Sequence, residues 1–100
     1  MEYVYPAIFH PCEEGGYSVR FPDLPGCYSQ GESLLGAIKL AQAALSQWLE
    51  YLAYKNENIP GASSIKDVDT ENDAEFVTLI TCLEERGLRR LARAERVSRH

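Results

Sequence analysis

Residues 33–54 read SLLGAIKLAQAALSQWLEYLAY, and the fold follows from how this stretch distributes its apolar side chains. Leu34, Ile38, Ala41, Leu45, Trp48 and Leu52 step by four and three without a break, and Leu35, Ala37, Ala44 and Leu49 widen that seam. Lys39, Gln42 and Glu50 take the far side, so the spacing predicts one amphipathic helix with a broad core-facing stripe. Proline is absent from the run and its commonest residues are strong helix formers. Ser33 is the expected N-cap, with an incomplete capping box because Gly36 stands where Glu or Gln would reach back. At ~1.5 Å per residue the rod is about 33 Å long, enough to cross a small sheet. A coiled coil would need three to four heptads, more than this run contains, so the stripe is read as sheet-packing. Trp48 lies on the seam and is expected in the core, an interface anchor being the alternative.

Upstream, residues 1–10 read as a strand with two apolar faces, Tyr3, Tyr5, Ala7 and Phe9 on one and Val4, Pro6 and Ile8 on the other. The helix can cover one face; the other calls for a second subunit or the chain's own tail. Pro6 lacks an N–H and is expected at an edge or bulge. Gly15 and Gly16 supply positive φ for a hairpin, and residues 17–21 alternate with Tyr17, Val19 and Phe21 inward. Pro22, Asp23, Leu24, Pro25 and Gly26 form a rigid corner, with Pro25 and Gly26 suited to the middle of a type II turn. Residues 27–30 make a third, short strand.

Downstream, residues 55–75 are a polar connection with Ile59, Ile65 and Val68 as anchors and a solvated acidic end holding Asp69, Glu71, Asp73 and Glu75. Residues 76–82 read as an interior strand, and residues 83–100 as an arginine-rich tail, helical or disordered. The order β-β-β-α-β predicts an α+β domain over residues 1–82, a mixed sheet with one long helix on one face and a right-handed crossover.

One hundred residues suffice for one domain, and an apolar fraction of 45% with 25% charged residues is that of an ordinary soluble protein. No apolar run reaches the length of a membrane span and the start lacks a basic signal region, which predicts a cytoplasmic protein with no membrane partner. Cys12, Cys27 and Cys82 lack metal spacing and suit free thiols in a reducing compartment. The net charge of −5 conceals a division. Residues 1–82 hold four basic groups against twelve acidic ones, a net of −8, whereas residues 83–100 hold six arginines against three glutamates, a net of +3. The body therefore repels nucleic acid and favours a basic partner.

Catalytic constellations are hard to find. His10 and Cys12 make no metal site, Gly15 and Gly16 precede a strand and so form no phosphate loop, and neither an enzyme activity nor a cofactor is expected. Asp23 is the one acid held in a rigid corner; it either bonds backbone N–H groups of the turn or contacts a basic partner. Arg86, Arg89, Arg90 and Arg93 belong to the sole basic cluster, read as a solvated terminus or as a nucleic-acid site.

The run from Gly15 to Cys27, GGYSVRFPDLPGC, resembles the hallmark of the HicB antitoxin family. Supporting stretches are YVYPA from Tyr3, QGESL from Gln30 leading into the Ala/Leu helix, Ile59 with Pro60, and FVTL from Phe76. The resemblance covers residues 1–82. It implies a partial RNase H-like fold that binds and occludes HicA, a small basic mRNA-cleaving toxin, and a homo-oligomer, dimer or tetramer. An RNase H-type nuclease needs several metal-binding carboxylates, and the first strand carries none past Glu2, so no nuclease activity is expected. Arg20, Asp23, Pro25 and Tyr28 are the residues expected at the partner interface. Family members usually continue into a DNA-binding domain after the fourth strand. Eighteen further residues are too few for one, so operator binding is doubtful here. The alternative is a stand-alone oligomeric domain binding nucleic acid or a small ligand through the arginine-rich tail.

Overall fold

The structure, a computed structural model, describes residues 3–82. Strands β1 (Val4–Pro11), β2 (Tyr17–Arg20) and β3 (Tyr28–Gly31) precede helix α1 (Leu34–Tyr54), and β4 (Phe76–Thr81) follows a long connection containing a short 3-10 turn over Ile65–Asp67. The element order and the α+β class are those expected. The sheet order is β3-β2-β1-β4.

Every strand pair is antiparallel, so the sheet is not mixed, and the handedness rule for parallel crossovers does not apply. The connection explains the difference. α1 starts beside the exit of β3, where a Cβ on Gly31 would lie 2.4 Å from the Ala37 nitrogen, and runs toward the exit of β4, where the Gln42 amide donates to the Thr81 carbonyl at 3.4 Å. Residues 55–75 then return the chain to the starting end, because Phe76 enters opposite Phe9 and β4 runs against β1. β4 is accordingly an edge strand rather than an interior one.

Ser33 caps α1, accepting the Gly36 N–H at 3.0 Å. The buried stripe is Ala37, Ala41, Leu45, Ser46, Leu49 and Leu52, rotated from the expected seam: Leu34, Leu35 and Leu40 are exposed, and Ile38 and Trp48 only half-buried. Close approach to Gly31 accounts for the rotation, since alanines must face the sheet where the helix begins and leucines fit only further along. Facing the stripe are Tyr5, Ala7, Phe9, Val19, Phe21 and Ile80, all buried. Phe9 stacks on Phe76 with centroids 5.2 Å apart, and Tyr17 meets both rings edge-on.

Pro6 sits in a central strand, not at an edge or bulge, and needs no donor there. The Cys82 N–H donates to the Tyr3 carbonyl, so Tyr3, Tyr5, Ala7 and Phe9 direct their backbone groups to β4 and Pro6 directs its own toward β2. The β1–β2 ladder reaches only as far as Ile8 and Arg20, so no partner strand stands opposite the missing N–H. Pro6 and Ile8 are buried on the face away from α1, and Val4 is exposed there.

Candidate partner interface

Residues 21–27 fold as two successive turns: the Leu24 N–H donates to the Phe21 carbonyl at 3.0 Å and the Cys27 N–H to the Leu24 carbonyl at 2.9 Å. Gly26 holds φ +99° at the second turn, as the Pro25–Gly26 pair predicts, and a Cβ there would meet the Trp48 ring at 2.9 Å. The indole thus closes the helix end of the corner, and Leu24 and Cys27 anchor it from inside. Burial pushes the Cys27 thiol up to about 11, which leaves it unreactive.

Asp23 bonds a backbone N–H, though not one of its own turn. Its carboxylate accepts the Ser63 N–H at 2.8 Å and the Ser63 hydroxyl at 2.5 Å, tying the corner to the connection. The Tyr5 hydroxyl donates to the Pro60 carbonyl nearby, and Ile59 packs on the core. Of the other expected anchors, Val68 is half-buried and Ile65 is exposed.

A second tie holds the acidic end of the connection. Arg20 makes a forked pair with Glu75, Nη1 to Oε2 at 3.0 Å and Nη2 to Oε1 at 3.2 Å. The Glu71 N–H donates to Glu75 Oε1 at 2.7 Å, and His10 Nδ1 lies 2.9 Å from Oε2. Glu75 is therefore buried and fixed, against the expectation of a solvated run, whereas Asp69, Glu71 and Asp73 are exposed. The Arg20 guanidinium, helped by the Glu71 amide, holds the Glu75 carboxyl down at about 2. Sequence reasoning missed Glu75, His10 and Ser63. Strand alternation placed His10 and Arg20 together on the face away from α1, and that pairing called for an acid without saying which.

Tyr28 pairs across the ladder with Arg20 and is 68% exposed, and Pro25 is exposed at the corner. The structure therefore brings Arg20 and Tyr28 side by side and Asp23 and Pro25 into one corner, while Arg20 and Asp23 are already engaged within the chain. Arg86, Arg89, Arg90 and Arg93 lie outside the described residues. Among the described residues no three His, Cys, Asp or Glu side chains are grouped to hold a metal ion, and no helix is long and apolar enough to cross a membrane.

An antiparallel four-stranded sheet under one long helix is also the fold of solved antitoxin domains. The chain superposes on the antitoxin HicB of Burkholderia pseudomallei with a TM-score of 0.68 at 26% identity, over 78% of this chain and 61% of that one. It matches one chain of a toxin-antitoxin complex from Streptococcus pneumoniae with a TM-score of 0.72 at 21% identity, over 83% of this chain and 70% of that one, a likeness of fold. In sequence it is 43% identical over 56 residues to antitoxin HicB 1 of Photorhabdus laumondii, covering 56% of this chain and 36% of that protein. Antitoxin HicB of Escherichia coli K12 is 37% identical over 65 residues, covering 65% of this chain and 47% of that protein. The chain thus spans between a third and a half of the length of these two relatives. The model of the HicB-like antitoxins of bacterial toxin-antitoxin systems matches residues 5–98, beyond the stretch on which the resemblance was read, and the chain belongs to that family.

Proposed function

We propose that this chain acts as an antitoxin, binding a small basic mRNA-cleaving toxin of the HicA type and covering its RNA-binding surface. The observation that carries this reading is the family match over residues 5–98. The charge of the body supplies its physics: a net of −8 over residues 1–82 steers a basic protein into contact and disfavours competing RNA. Occlusion needs only a standard interface, about 800 Å² per partner.

The surface assigned to the toxin is the side of the sheet away from α1, where the corner 21–27 and the acidic connection meet. Tyr28 and Pro25 offer exposed ring surface there, and Asp69, Glu71 and Asp73 offer charge. Arg20 and Asp23 serve this surface indirectly, by holding the connection in place through Glu75 and Ser63. Covering a surface requires no catalytic group, and the proposal assigns the protein no enzymatic step.

Co-expression with a HicA-type toxin from the same genome tests the reading. Growth should be restored by the wild-type chain, and restored less well by the combined Asp69→Lys, Glu71→Lys and Asp73→Lys variant. Failure of the folded wild-type chain to restore growth or to bind the toxin contradicts it.

A further inference from the structure

The two edges of the sheet are defended differently. β3 is four residues long and ends at Gly31 against the start of α1, which leaves little strand to template on. β4 is six residues, FVTLIT, without charge or proline, and its register with β1 runs unbroken from Phe76 to Thr81, so no bulge turns it aside. Short length, lysine, proline and bulges are the usual protections of an edge strand, and β4 has none of them.

Its open groups can be named. Phe76, Thr78 and Ile80 share the hydrogen-bonding phase that Cys82 shows with Tyr3 and face β1, so Val77, Leu79 and Thr81 direct their N–H and C=O outward. Among the described residues the one bond to this edge comes from Gln42, at the Thr81 carbonyl and a long 3.4 Å. The side chains of Val77, Leu79 and Thr81 lie on the face away from α1, in rows with Ile8, Pro6 and Val4. Leu79 is 51% exposed and Val4 41%.

We infer that β4 pairs antiparallel with β4 of a second copy of this chain, with Leu79 on the two-fold axis, to make one continuous sheet across both copies. That register lets Leu79 exchange both its backbone bonds with its counterpart, and lets Val77 exchange with Thr81 on either side. It also continues the side-chain rows across the seam. Pro6 and Leu79 meet Leu79 and Pro6 of the other copy, and Val4 and Thr81 meet Val77 and Ile8. Every member of these rows is apolar or threonine, so two chains of like net charge join without bringing charges together. The contact is isologous and closes on itself. Charge also favours the antiparallel sense: Asp69, Glu71 and Asp73 precede the strand and the segment carrying six arginines follows it, so each acidic entry lies toward the other copy's basic exit. A basic toxin gains nothing from an uncharged edge, which leaves the acidic surface free for it. The inference rests on the sheet edge and not on the toxin reading.

The test is sedimentation equilibrium of the full chain from low to high micromolar concentration. Leu79→Pro removes one outward N–H and leaves the β1 ladder intact, and Leu79→Lys places like charges at the axis. Wild type should reach twice the monomer mass, and both variants should keep the wild-type circular dichroism while dissociating at least about tenfold more readily. In a Cys12→Ser background, Leu79→Cys should form a disulfide-linked dimer on mild oxidation. A wild type that stays monomeric throughout, or a Leu79→Lys variant that dimerises as wild type does, overturns the inference. Should Leu79→Pro fail to fold, the lysine variant and the cross-link decide.

Discussion

The two faces of the sheet are held by different forces, although the same strands supply both. Against α1, Tyr5, Ala7, Phe9, Val19 and Ile80 meet the helix stripe in a continuous apolar layer. On the other face the visible ties are polar: Arg20 and His10 gather on Glu75, while Asp23 clasps Ser63 from the corner beyond β2. The first layer gains from removing apolar area from water, roughly 1.5–3 kcal/mol for a fully buried large side chain. The second gains less per contact, because solvent competes for exposed hydrogen bonds and ion pairs. The helix side therefore makes the domain stable, and the polar side fixes where the connection and its exposed acids sit.

Breaking the helix side should have the largest effect. Leu45 is fully buried at the middle of the stripe, and Leu45→Ala is expected to cost about 2–5 kcal/mol, read as a fall in the midpoint of urea unfolding. Gly26→Ala should cost about 1 kcal/mol or more in the same assay, because φ +99° and the indole both oppose a side chain.

Acid should expose the polar side alone. The folded Glu75 carboxyl lies near 2, below the ordinary value of 4.5, so its contribution is present above the ordinary value and is lost as pH falls toward 2. Wild-type stability should decline through that window. Glu75→Gln should be less stable than wild type at neutral pH and should decline less on acidification; an unchanged slope would mean the Arg20–Glu75 pair contributes nothing to folding. The smallest effect belongs to Asp23→Ala, about 0.5–1 kcal/mol from an exposed pair of hydrogen bonds. Faster amide exchange around Ser63, with the core strands unaltered, would show that it loosens the connection locally.

What could be read from the chain divides along the same line. Periodicity marked α1, its Ser33 cap, the alternation of β2 and the inward row of β1, because each depends on neighbours within a turn or a pleat. The exposed positions of Leu34, Leu35 and Leu40 were not legible, since the rotation of α1 is set by its approach to Gly31, a contact with another element. The direction of β4 was not legible either. A polar connection of this length can deliver the next strand from either end of a sheet, and only the ties at Asp23 and Arg20 show its route. For the interface, the corner 21–27 was readable from its prolines and glycine, whereas the burial of Glu75 among several similar acids required the fold.

Hydrogen–deuterium exchange of the chain with and without a HicA-type toxin tests the assignment of the two faces most directly. The account predicts slowed exchange in residues 20–28 and 67–75, on the side away from α1. Slowed exchange confined to α1, with those segments unchanged in a neutralised complex, would contradict it.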